Sequence, residues 1–282
     1  MKNRMGLIQI HIAVLLAGGV GLFAKLITVN PMVITCGRTA FGGITLAVTA
    51  RLTRSSLKLR SPKDMFMLAL SGVILAMHWF TFFLSIQVST VALGLLAFST
   101  FPLFVTFLEP FVFKEHLHRH NVMMALFVVT GLVLVIPNFD IRNHLTQGVL
   151  WGVLSAFTFA MLSLLSRSCV RTYPSVTVAF YQQLFAALCT LPFALTWKSA
   201  ITGHDILLLM ILGVVFTALA QGLAVASLKT LRAQTTSVVF GLEPVYGILL
   251  AWLLLHEIPS LRTVCGGMLI CGAVLWASFS HR

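Results

Sequence analysis

The chain has 282 residues, of which 59% are hydrophobic and only 9% charged, against roughly 25% charged in an ordinary soluble domain. That excludes a soluble enzyme or a pair of soluble domains and leaves a polytopic membrane protein, in line with a mean hydropathy of +0.99. The net charge of +12 does not point to nucleic acid, because the basic residues sit in short loops between apolar spans. Orientation in the membrane and anionic lipid headgroups account for them there.

Ten spans are expected, at about 6–28, 31–52, 65–87, 91–113, 121–137, 148–167, 175–196, 206–227, 235–256 and 262–280. Lys2 and Arg4 precede an apolar run too long for a signal peptide, so it is read as the first membrane helix. Along it Gln9, Ala13, Ala17, Gly21 and Lys25 recur every four residues and share one stripe. Small residues there permit close helix approach. Lys25 either snorkels to the external headgroups or stands as a cation at a cavity mouth.

In the second span Arg38 lies about seven residues, roughly 10 Å, below the external face. It is read either as a helix-end clamp on backbone carbonyls or as a receptor for a solute carboxylate. Ser61 and Pro62, with Asp64 three positions after the serine, read as the start of the third helix. His78 and Trp79 fall mid-span in that helix, either as a satisfied buried pair or as the wall of a solute cavity. In the fourth span Ser99, Thr100 and Pro102 are expected to loosen the helix, and Glu109 to pair with a basic group. The run Glu115 to His120, EHLHRH, is read as a solvated basic turn, since a zinc site needs ligands fixed by a second shell.

Tyr181, Gln182, Gln183 and Gln221 add polar groups to the second half, and Thr202 to Asp205 is a capping pattern ahead of the eighth span. The ninth span, Thr235 to Glu257, holds an ionisable group, Glu243, about 12 Å deep by helix rise. Pro244 follows it and is expected to kink the helix at the Phe240 carbonyl. Glu243 has three readings: a structural or gating acid, a proton-coupling group, or a ligand for a solute amine. The five cysteines form no CxxC pair and mostly lie in apolar spans, so neither disulfides nor a zinc site is expected.

The halves repeat. Pro102 to Glu115 and Pro244 to Glu257 are both thirteen residues apart at an offset of 142, which also sets Gly6 on Gly148 and Lys25 on Arg167. Residues 1–140 and 141–282 are therefore read as two five-helix repeats. Five spans is an odd number, so the second repeat enters the membrane inverted. With the N-terminus inside, the cytoplasmic loops carry fourteen basic residues against three outside, Arg142, Lys198 and Arg262. Inverted repeats around a mid-membrane site are a recurring transporter design.

These features resemble the EamA family of the drug/metabolite transporter superfamily. The resemblance rests on the AGGVGLFAKL run (Ala17 to Leu26), the Pro31 to Arg38 spacing, FGLEPVYGILLAWLLLHE, and GGMLICGAVL (Gly266 to Leu275). Phe101 stands where the second half has Glu243, so the acidic site is asymmetric. The resemblance implies a cytoplasmic-membrane permease, most often an exporter of amino acids or related metabolites, with no cofactor. An importer of a nucleotide-like or other metabolite is the alternative within the family, and a polytopic membrane enzyme the alternative outside it. The expected partners are a small-molecule solute, membrane lipids and, under the coupling reading of Glu243, a proton gradient.

Overall fold

The computed structural model describes residues 2–113, 119–136, 140–198, 200–227, 231 and 239–280. Among them all regular structure is helical. Seven helical stretches are long and apolar enough to cross a membrane, and three shorter apolar helices accompany them.

The first three helices follow the expected spans: α1 (Lys2–Leu26), α2 (Pro31–Leu52) and α3 (Pro62–Val88). Their starts have local causes. Asn30 accepts from the Met32 amide with Pro31 at the first position of α2, and Ser61 caps α3 through the Asp64 amide. The fourth span is two helices, α4 (Val91–Phe98) and α5 (Phe101–Phe113). Pro102 has no N–H to continue α4. The Ser99 and Thr100 hydroxyls donate to the Leu95 and Ala97 carbonyls, both at 2.7 Å, and satisfy the end it leaves.

Helices α6 (Arg119–Val135), α7 (His144–Cys169) and α8 (Ser175–Leu195) follow. The eighth span is α9 (Gly203–Gly213), a π-helical segment at Val214–Leu219, and α10 (Ala220–Ser227). The expected capping box is present: Thr202 receives the Asp205 amide while Asp205 receives the Thr202 amide at 3.0 Å.

The ninth span is interrupted where a kink is expected, and more sharply than by a kink: Val239 and Phe240 are helical, a turn follows at Gly241 and Leu242, and α11 (Glu243–Leu255) begins after it. Pro244 occupies its second position, where a helix needs no N–H from it. Residues 232–238, the expected start of this span, lie outside the described residues. Helix α12 (Leu261–Ser280) closes the chain.

Packing is mainly between the halves. Helix α3 packs on α7 and α8, α2 on α8 and α9, α1 on α10 and α11, α4 and α5 on α7, and α6 on α12. The largest apolar cluster joins the C-terminal part of α1 (Val20 to Ala24) and Ile27 just beyond it to Ile34, Phe83, Ile86, Leu95 and Leu212. Two glycines set one close crossing. A Cβ on Gly18 would stand 2.6 Å from the Glu243 carbonyl oxygen, and one on Gly247 would stand 2.7 Å from the Gly18 carbonyl oxygen. Backbone therefore lies on backbone where α1 passes the first turn of α11.

Candidate functional site

A cavity of about 390 Å³ opens between α1, α2, α3, α7, α8, the π segment with α10, and the start of α11. That volume suits a small organic molecule. Arg38 reaches it from α2 and is 2% exposed. Its guanidinium lies over the Trp79 ring of α3, 3.4 Å from the centroid. The weakly hydrated, planar guanidinium suits that aromatic face. Nε and Nη1 of Arg38 are buried without a hydrogen-bond partner among the described residues. The helix-end clamp reading needs carbonyls at these nitrogens and does not find them.

His78, beside Trp79, is held on its Nδ1 side by Ser155 of α7. The ring nitrogen lies 3.1 Å from the Ser155 carbonyl oxygen and 2.9 Å from its Oγ, and that hydroxyl also reaches the His78 carbonyl at 3.1 Å. Phe98, Phe159 and Trp79 surround the imidazole with centroids 5.3, 4.9 and 4.5 Å away. The two readings of His78 thus coincide: a satisfied buried histidine that also forms a wall of the cavity.

Glu243 faces the cavity from the first position of α11, where the unsatisfied amides of a helix start favour an anion. Arg38 lies within its electrostatic reach, yet no ion pair joins the two. The cavity thus holds a fixed cation and an acid that are not bonded to each other. Around them are Gln182, Gln183, Ser163, Ser166, Thr217 and Gln221. Gln182 donates to the Ser166 hydroxyl at 2.8 Å.

Comparison with known proteins fits this geometry. The model of the EamA-like transporter family matches the chain twice, over residues 4–136 and 146–279. The chain belongs to the EamA-like transporter family. It is similar to the S-adenosylmethionine uptake transporter of Rickettsia bellii, 27% identical over 81% of this chain and 77% of that protein. It is also similar to the pseudopaline exporter CntI of Pseudomonas aeruginosa, 25% identical over 77% of this chain and 76% of that protein. A crystal structure superposes with a TM-score of 0.70 at 22% identity, covering 100% of this chain and 97% of that one. That likeness concerns the fold alone.

Within this EamA-like chain, Arg38, His78, Trp79, Gln221 and Glu243 come together around one cavity. Lys25, Ser99, Pro102, Tyr181 and Pro244 do not line it. Lys25 donates to the Ser89 carbonyl at 2.7 Å, closing the end of α3 rather than a cavity mouth. Tyr181 donates to the Leu57 carbonyl at 2.8 Å and holds the 53–61 loop. Ser99, Pro102 and Pro244 act on the backbone at the two helix breaks. Glu109 pairs with Arg167, as the sequence leads one to expect.

Among the described residues no three His, Cys, Asp or Glu side chains gather as a metal site, and 114–118, with most of EHLHRH, lies outside them. Sequence reasoning missed Ser155, Phe159, Ser163 and Ser166, although their spacing of four, four and three places them on one face of α7. It also missed Thr217. The π segment carries that residue and Phe216 to the cavity, with the Thr217 hydroxyl donating to the Leu212 carbonyl at 2.9 Å.

Proposed function

We propose that this chain is a secondary transporter that moves a small polar metabolite, an amino acid or a related compound, across the cytoplasmic membrane by alternating access. The carrying observation is the cavity between the halves, with Arg38 buried and Glu243 half-buried in its wall and not bonded to each other. Buried charges inside a membrane bundle mark solute or ion pathways by default. A solute carboxylate gives the unpaired nitrogens of Arg38 a partner.

Three observations support two inverted five-helix repeats, about 1–140 and 141–282. The family model matches each half separately. The helix breaks fall at equivalent places, with α5 starting at Phe101 and α11 at Glu243, 142 residues apart. The packing is also exchange-symmetric: α3 on α7 corresponds to α1 on the eighth span, and α1 on α11 corresponds to α4 and α5 on α7. Two such halves around a central site can swap conformations and expose it to either side.

With both termini cytoplasmic, the cavity runs from Arg38 toward Ser166 and Ala224, on the inner side. The outer side is tied by Lys25 to the Ser89 carbonyl and by the Gln87 amide to the Val29 carbonyl at 3.0 Å. Glu257 adds a third tie, accepting from the Val91 amide at 2.9 Å. This is an inward-facing arrangement. The fourteen-to-three bias of basic residues supports the orientation. Loading from the cytoplasm matches export, the direction we favour, while the relatives' names cover both uptake and export.

Two measurements check this reading. A cysteine at Ser56, in a chain freed of its other cysteines, should resist impermeant thiol reagents in intact cells and react in inside-out vesicles. External labelling would sink the orientation. In proteoliposomes a labelled L-amino-acid mixture should exchange across the membrane and be recovered chemically unchanged; conversion of the solute without translocation would favour an enzyme. Glu243 sits at the α11 break against α1, which supports its gating role. Glu243→Gln should then bind solute normally but exchange it about tenfold more slowly, equivalent to about 1.4 kcal/mol on the barrier. Full exchange with lost accumulation under a pH gradient would instead assign it to proton coupling.

A further inference from the structure

One polar group of the cavity wall has no role so far. Gln183 of α8 is 5% exposed, and its Oε1 is buried without a hydrogen-bond partner among the described residues. Its side chain lies along α2: a Cβ placed on Gly42 would be 3.6 Å from that oxygen. Gly42 is one helical turn from Arg38, whose Nε and Nη1 are likewise buried and unpaired. An unpaired acceptor thus lies against α2 one helical turn from the residue that carries the unpaired donors, and both residues line the cavity. Helix and sheet ladders do not use them, and the desolvation cost of leaving them unpaired is unrecovered in this state.

We propose that Arg38 and Gln183 together read the polar end of the solute, and that Gln183 determines its specificity. Arg38 receives a carboxylate, and Gln183 Oε1 accepts from a donor on the adjacent carbon. The site therefore takes a 2-amino or 2-hydroxy acid and discriminates against a simple carboxylate or a simple amine. Trp79 is a positioning residue here, holding the guanidinium flat so that its fork presents to the carboxylate. Glu243 stands on α11, at the turn that meets α1, and does not set this discrimination. The rings of Phe98 and Phe159 give the solute body an apolar wall.

The proposal rests on the transporter reading and names the solute class of that same cavity. It is tested by equilibrium binding to the purified full chain in detergent, using four probes with one apolar body: L-phenylalanine, L-3-phenyllactate, 3-phenylpropanoate and 2-phenylethylamine. The wild-type protein should bind the first two at least tenfold more tightly than the other two, because a site built to hydrogen-bond a group rejects the analogue lacking it. Gln183→Leu should bring L-phenylalanine and 3-phenylpropanoate within about threefold of each other while leaving 3-phenylpropanoate affinity unchanged, as expected when a single acceptor is lost. Gln183→Met serves the same comparison if the leucine variant does not fold.

A tenfold gap that survives in the Gln183 variants overturns the proposal. So does wild-type binding of 3-phenylpropanoate as tight as that of L-phenylalanine, or binding of none of the four probes. Translocation of a solute lacking a carboxylate would overturn it while leaving the transporter reading intact. Absence of any translocation would count against that reading instead.

Discussion

Arg38→Gln is expected to weaken solute binding about thirtyfold or more, because truncating a buried charged partner costs about 2–5 kcal/mol. The same substitution should not destabilise the protein. Arg38 has two buried nitrogens without partners and no ion pair with Glu243, so removing its charge relieves desolvation that nothing in the resting state offsets. What the fold loses is the contact with Trp79, worth about 0.5–2 kcal/mol. Arg38→Lys should recover only part of the binding, since an ammonium lacks the planar fork and stacks less well. Thermal unfolding of purified variants beside binding titrations separates the two effects. Loss of folded protein in both variants, with affinity unchanged in whatever remains, would make Arg38 a structural clamp after all.

The second large effect is expected at Gly18. Its missing Cβ leaves room for the Glu243 carbonyl oxygen, 2.6 Å from where a methyl would stand, and for the Gly247 amide nitrogen at 2.8 Å. Both obstacles are backbone, so no rotamer change relieves the clash. Gly18→Ala must push α1 away from the first turn of α11, at a cost of about 1–3 kcal/mol from overpacking. The carboxylate at the same turn moves with it, so exchange should fall at least tenfold even where the protein remains folded, a loss of about 1.4 kcal/mol. Gly222→Ala is the control, since a Cβ there meets nothing within 4 Å. Equal behaviour of the two alanine variants would show that this crossing does not govern the site.

Much of this was legible in the sequence because hydrophobic length and capping are local. The spans, the Ser61 and Thr202 caps and the Ser99 to Pro102 loosening all follow from residues within a turn of one another. So did Arg38, His78, Trp79, Gln221 and Glu243 as polar exceptions in apolar helices, which the fold gathers around one cavity. At Pro244 the place of the break was legible but its sharpness was not, because a proline that kinks a continuous helix and a proline at the second position of a new one have the same local sequence. Lys25 was ambiguous for another reason. Its acceptor, the Ser89 carbonyl, is 64 residues away, and no periodicity in α1 points to it. Gly18 lies one position off the stripe Ala13, Ala17, Gly21, and its partner is more than two hundred residues away. Long-range pairings of this kind decide which small residue is indispensable.

One cavity, bounded by Arg38 and Glu243, should be reached in turn from both sides of the membrane. The most direct measurement places a single cysteine at Ser163, in a chain freed of its five native cysteines, and follows labelling by an impermeant thiol reagent in inside-out and right-side-out vesicles. Ser163 lines the cavity on α7 and is half-buried there, and cysteine is close to serine in size. The account predicts fast labelling from the cytoplasmic side and slower but complete labelling from the external side, with an amino-acid solute that is exchanged protecting the site from both. Labelling from one side alone under every condition, or an external rate that Arg38→Gln and solute leave untouched, would contradict it.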